Sequence, residues 1–271
     1  MRTVFIFFLL LTLANPYVAN SDTKLRAYFS NDSINGFMIS DAYETHNMGL
    51  SIERDDSFLS FDLGIVSPDM HIYKNEYRVA NRSFGELLSL TAGKNFILDN
   101  QYSGSYFVKV TSSGTYGIDK LQDFMHRLLT LQPVNHVNDL VRMPNDTWYG
   151  IGGYIYRASP TSHKYLNTYG VRSYLGTDRT EIAPFMMYNK KYSSLNLTGE
   201  LGLRYIFFDN IVSAEPISAL HRNTIPYAEL GLNFEYLGFN WYIKDKFSLP
   251  TIASDSNPFG VLSLGVEFIF E

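Results

Sequence analysis

LNLTGELGLRYIF, residues 195–207, is the stretch whose reading decides the fold. Leu195, Leu197, Gly199, Leu201, Leu203, Tyr205 and Phe207 take one face, while Asn196, Thr198, Glu200, Gly202, Arg204 and Ile206 take the other. An extended chain points successive side chains to opposite sides, so a period of two reads as a strand. The pattern recurs in Ala228, Leu230, Leu232, Phe234 and Tyr236 against Glu229, Gly231, Asn233 and Glu235. It returns in Leu262, Leu264, Val266, Phe268 and Phe270, and earlier in Leu59, Phe61, Leu63 and Ile65.

A soluble sandwich alternates in the same way, so the period alone does not choose the solvent. Three further features point to a membrane barrel. Residues 1–20, MRTVFIFFLLLTLANPYVAN, read as a secretory signal peptide, with cut sites at Thr12-Leu13-Ala14 or Val18-Ala19-Asn20. The strands run to about 9 to 11 residues or more, and aromatic residues gather near their ends. Charged residues fall opposite the apolar band, where a polar lumen would receive them. The chain ends FIFE, close to the terminal aromatic strand of outer-membrane barrels, although Glu271 follows Phe270.

Twelve candidate strands are expected, at 24–31, 44–54, 57–66, 84–95, 103–112, 147–158, 163–174, 179–189, 192–209, 225–236, 239–249 and 259–270. The even count suits a closed single-chain barrel. The fold class is therefore all-β: an antiparallel transmembrane barrel of about 12 strands over residues 21–271, in the bacterial outer membrane. Composition agrees. Tyrosine and phenylalanine number 20 each, and tyrosine favours membrane interfaces. There is no cysteine, hence no disulfide framework, and 27 acidic against 22 basic residues argue against a nucleic-acid partner. No segment after the signal approaches ~18 apolar residues in a row, the length of a transmembrane helix.

One segment breaks the pattern. Thr115–Leu131, inside a long insertion at 113–146, spaces Ile118, Leu121, Phe124, Met125, Leu128 and Leu129 by three and four, as a half-buried helix requires. Its other face carries Asp119, Gln122, Asp123, His126 and Thr130. His126 is either a bystander on a solvated face or a general base, for which its ordinary pKa is suited. The insertion and the excursions at 32–43 and 68–81 should share one rim, where long loops make a site. Asn31-Asp32 ends the first strand, either as plain turn formers or as an amide donor beside a carboxylate. Lys74 and Arg78 lie in the 68–81 excursion, where an anionic ligand would want them.

These residues carry a resemblance. AYFSND at 27–32, SDAYETHNMGL at 40–50, VSP at 66–68 with Lys74, NRSF at 81–84 and YGIDKLQDFMHRLL at 116–129 resemble, in order and spacing, the outer-membrane lipid A 3′-O-deacylases. The match is clearest over residues 27 to 140. That resemblance implies His126 as the catalytic histidine, preceded by Gln122 and followed by Arg127, with Asn31 and Asp32 as the family's Asn-Asp pair. The family's threonine falls on Thr45 by its Asp-x-Tyr-x-Thr setting, or on Asn47 counting back from Gly49. Its lysine falls at or beside Lys74. An acid beyond the helix would fall near Gln132, which cannot supply a charge, leaving Asp32 or Asp123 to orient the histidine. A divalent cation, usually Ca²⁺, is implied, with Asp32 as its carboxylate.

The implied reaction is hydrolysis of an acyl ester of lipid A in lipopolysaccharide. His126 would activate water, Asn31 and Ca²⁺ would hold the oxyanion, and Lys74 and Arg78 would grip the phosphorylated sugar. Ser30 or Ser33 keeps an acyl-enzyme route open. A non-enzymatic barrel, channel or structural, and a barrel phospholipase with a Ser-His pair are the competing readings.

Overall fold

The computed structural model describes residues 23–31, 43–67, 85–98, 102–116, 145–158, 166–209, 223–248 and 259–270. They form strands β1 (Thr23–Asn31), β2 (Tyr43–Arg54), β3 (Ser57–Ser67), β4 (Gly85–Leu98), β5 (Tyr102–Gly114) and β6 (Thr147–Ala158). There follow β7 (Leu166–Gly176), β8 (Arg179–Tyr192), β9 (Leu195–Asp209), β10 (Thr224–Tyr236), β11 (Phe239–Ser248) and β12 (Phe259–Phe270). Each strand pairs antiparallel with its sequence neighbours, and β1 pairs with β12 from Thr23↔Phe270 to Asn31↔Leu262. Closure leaves no sheet edge, as hydrocarbon surroundings demand.

All twelve expected strands are present, with shifted ends. The ninth was expected from residue 192 but starts at Leu195, because Ser193 turns at φ 34° and hands Tyr192 to β8. The seventh continues beyond 174, since Leu175 and Gly176 still pair with Ile151 and Gly150. At one end of the barrel lie Thr23, Phe270 and the tight connections Asp55–Asp56, Ser193–Ser194 and Leu237–Gly238. Leu237 and Gly238 both have positive φ, 55° and 75°, the geometry whose twist matches that of paired strands. The opposite rim carries the connections at 32–42, 68–84, 115–146, 210–223 and 249–258, with only Thr177–Asp178 short. The three expected excursions thus share a rim, joined by two more. The signal peptide at 1–20 and residues 117–131 of the expected helix lie outside the described residues.

The faces are inverted relative to a soluble protein. Leu59, Leu90, Val108, Ile151, Leu201 and Leu230 stand exposed on the outer wall, forming an apolar girdle far larger than a water-facing surface tolerates. Ionisable groups line the lumen. Arg172 donates to Glu200 (Nη2–Oε2 2.7 Å) and to the Tyr227 hydroxyl (2.9 Å), which itself donates to Glu200 at 2.7 Å. Gly202 makes room for that tyrosine, since a Cβ there would sit 2.3 Å from its ring. Arg204 and Arg179 converge on Glu181 at 2.8 and 3.2 Å. Nearer the termini, Arg26 bridges Glu267 and Glu53, and the Tyr28 hydroxyl donates to Asp62.

Candidate active site

One cross-strand row runs along the long-connection rim. Leu262 pairs with Asn31, Asn31 with His46, His46 with Ile65, Ile65 with Glu86, and Glu86 with Gly114, from β12 through β1 to β5. Ile65 and Glu86 share parity with Leu59 and Leu90, so their part of the row lies on the outer, membrane-facing side. Lower down, Leu59 and Leu90 are 48% and 49% exposed; at the rim Ile65 and Glu86 keep 1% and 2%. The outer wall is bare in the middle and covered at this rim.

Part of what covers it is the chain leaving β5. The backbone N–H of Tyr116 donates to the Glu86 carboxylate, and its hydroxyl donates to Ser112 Oγ at 3.0 Å. Its ring lies across Gly114, where a Cβ would come within 2.9 Å of the ring carbon that bears the hydroxyl. Ser112 has the parity of Val108 and Val110 on the outer face. Tyr116, the last described residue before the insertion expected to carry His126, therefore lies against the outer wall rather than in the lumen. The strand alternation had made the lumen the expected place for polar groups, and the rim reverses that locally. At the insertion's far end the Asp146 N–H donates to Ser113 Oγ at 2.9 Å, and the Asp146 carbonyl accepts from the Ser113 N–H at 3.0 Å.

The β2 strand bulges in the same neighbourhood. Its pairing with β3 shifts between Glu44↔Val66 and His46↔Ile65, leaving Thr45 as the extra residue. Bulges cluster at barrel rims, where they re-aim a side chain. Asn47, the alternative to Thr45, faces the lumen, where it lines a cavity with Tyr28, Ser30 and Ser263. Ser30 is buried on that same inner side and donates to the Asn47 carbonyl at 3.4 Å. A hydroxyl there is across the wall from the covered rim.

Of the expected site residues, Asn31 ends β1 and Thr45 sits at the β2 bulge, though the side chains of both lie outside the described residues. Asp32, Lys74, Arg78 and His126 are outside them as well, as are Gln122, Asp123 and Gln132. The connections that hold them attach to consecutive neighbouring strands, β1 through β6, on one rim. Among the described residues no three His, Asp or Glu side chains gather as a metal site. Sequence reading missed Glu86. Its signal was available: an acid with the parity of Leu88 and Leu90, on the face those leucines turn to lipid.

A closed antiparallel barrel with an apolar outer girdle, a charged lumen and one elaborated rim is an outer-membrane β-barrel protein. Its strands follow the fold of LpxR from Salmonella typhimurium, with a TM-score of 0.73 at 13% identity over 90% of this chain and 99% of that one. The NanC porin (TM-score 0.49, 10% identity, 91% and 98% covered) and the KdgM porin (0.46, 8%, 92% and 99%) are more distant. No protein-family model matches the sequence, and no curated protein sequence does.

Proposed function

We propose that the protein is an outer-membrane esterase that hydrolyses an acyl ester of lipid A. The observation that carries this reading is the contact made where the chain leaves β5: on the outer wall, the Tyr116 N–H meets the buried carboxylate of Glu86. A lumen pore has no use for a buried polar contact of this kind on its lipid-facing wall. An enzyme whose substrate lies in the outer leaflet needs its groups there. The fold shared with LpxR, together with the motifs that resemble the lipid A 3′-O-deacylases, supports the same reading.

In the proposed reaction His126, as neutral imidazole, takes a proton from the attacking water. The water oxygen bonds to the ester carbonyl carbon, and the Asn31 amide donates to the oxygen on which charge develops. Collapse expels the sugar alkoxide, which recovers the proton from the imidazolium. Thr45, at the β2 bulge, is the residue we assign to the family's threonine position; the lumen-facing Asn47 supports that choice over the alternative. Lys74 and Arg78 hold the phosphorylated sugar by charge-assisted hydrogen bonds. A Ca²⁺ ion held by Asp32 would, when bound, add positive charge near the carbonyl oxygen. The apolar wall below the rim, with Leu88 and Leu90, accepts the acyl chain.

The test is the mass spectrum of lipid A from cells expressing the wild-type protein or His126→Ala. Loss of one acyl chain with the wild type, and none with the variant at equal folded-barrel levels, is expected. Identical spectra would remove the enzyme reading.

A further inference from the structure

A groove of about 800 Å³ runs across the membrane-facing wall from β4 to β9. Its floor follows the cross-strand rows Tyr106–Gly153–Ser173–Ile182 and Val108–Ile151–Leu175–Thr180. Tyr106, Val108, Ile151, Leu175 and Ile182 are all exposed, which places both rows on the outer face. Gly153 and Ser173 interrupt that face side by side, so the wall sinks between bulkier neighbours. One bank is the aromatic pair Phe96 and Tyr106, their ring centroids 6.3 Å apart. The other is Ile182 with Phe207, the residue left over where β9 bulges between Thr180↔Phe208 and Glu181↔Ile206.

Two hydroxyls stand in this apolar setting. Ser173 is exposed on the floor, and Thr180 Oγ1 is buried at the upper end, with no hydrogen-bond partner among the described residues. Hydrocarbon offers such donors nothing, so each costs free energy until an acceptor arrives. Ser173 is three residues from Gly176, the end of β7 at the long-connection rim. That is about 10 Å along a strand, or about 7 Å of depth at a tilt near 45°, within reach of the interfacial layer where the ester and hydroxyl oxygens of a lipid lie. Long connections mark the outward side of such barrels, so the leaflet concerned is the outer one.

Shape selects the occupant. A second barrel is convex and would span the banks without reaching Gly153. A polymethylene chain is a rod that lies in the groove, and an oxygen near its head meets Ser173 and Thr180. Apolar burial gives no preference over the surrounding tails, so contact with concave walls and these hydrogen bonds must supply it. We propose that the groove seats one acyl chain of lipid A, a chain that the proposed reaction leaves intact. β5 carries one bank of the groove and leads into the Tyr116 contact, so one multiply acylated lipid can reach both. Binding there requires lipid A as the ligand, not its hydrolysis, and rests on that part of the esterase reading alone.

The test is photocrosslinking of the full barrel in detergent micelles, with lipid A that carries a diazirine on its acyl chains. Adducts should gather on residues 151–155 of β6 and 171–175 of β7, and unlabelled lipid A should suppress them at lower concentration than phosphatidylethanolamine. His126→Ala should label like the wild type, so failure of the hydrolysis step and failure of this site are separate results. Ser173→Phe, which fills the floor, should cut labelling there by about tenfold. Thr180→Val should cut it by about threefold, the worth of one hydrogen bond within hydrocarbon. Retained heat-modifiable gel migration certifies the folded barrel; if Ser173→Phe loses it, Ser173→Leu takes its place under the same criterion. Adducts spread evenly round the outer wall, equal suppression by phosphatidylethanolamine, or unchanged labelling in either variant would overturn the proposal.

Discussion

The Glu86 carboxylate accepts the backbone N–H of Tyr116, joining the start of β4 to the chain that leaves β5. With Glu86 only 2% exposed, the bond is sheltered from water on a wall that elsewhere faces lipid. It fixes where the 117–144 insertion begins.

Glu86→Ala strands the Tyr116 N–H, a loss of about 1–3 kcal/mol for a buried donor. The expected result is local: amide exchange at Tyr116 quickens by about ten- to a hundredfold while the barrel stays folded. Deacylation falls in parallel. Glu86→Gln, which keeps an acceptor oxygen, should recover most of both. Unaltered exchange in Glu86→Ala would show that the bond does not hold the insertion.

Ser30→Ala distinguishes water from serine as nucleophile. Ser30 faces the lumen, 8% exposed, with its hydroxyl toward the Asn47 carbonyl. Activity within about twofold of wild type is expected if water attacks. Complete loss, with a folded barrel, would return the acyl-enzyme route and the phospholipase reading.

Calcium dependence follows from the placement of Asp32 in the proposed site. Dialysis against EDTA should abolish deacylation, and Ca²⁺ should restore it better than Mg²⁺, which demands stricter octahedral geometry. Asp32→Asn should reproduce the metal-free behaviour. Full activity in chelator would separate the reaction from the cation.

The lumen network sets barrel stability rather than activity. Glu200→Ala leaves Arg172 and the Tyr227 hydroxyl without their shared acceptor. Breaking a fully buried pair costs about 3–5 kcal/mol, but Arg172 is 43% exposed to the lumen, so about 2 kcal/mol is expected. Tyr227→Phe should cost about 1 kcal/mol. Urea unfolding in micelles, read by heat-modifiable migration, measures both, and unchanged midpoints would mean that lumen water replaces the network.

Much of this protein could be read along the chain. Strand number, alternation and the polar lumen depend only on the two-residue period of an extended backbone, so Leu195–Phe207 and its counterparts declare them locally. Turns limited the accuracy at Ser193, where a positive φ at a serine leaves no mark in composition. Asn31-Asp32, Thr45 and His126 were singled out as a pattern of motifs, and their side chains lie outside the described residues.

Tertiary structure alone decided which side of the wall each rim residue serves. Ser30 and Asn31 are adjacent in sequence, and Asn47 stands two residues from Thr45, yet a bulge or one step of register moves a side chain between lumen and lipid. Glu86 and Tyr116 are 30 residues apart, and Arg172, Glu200 and Tyr227 are separated by 28 and 27. Such partners meet only when the closed barrel fixes the register between strands, and no local periodicity encodes that register.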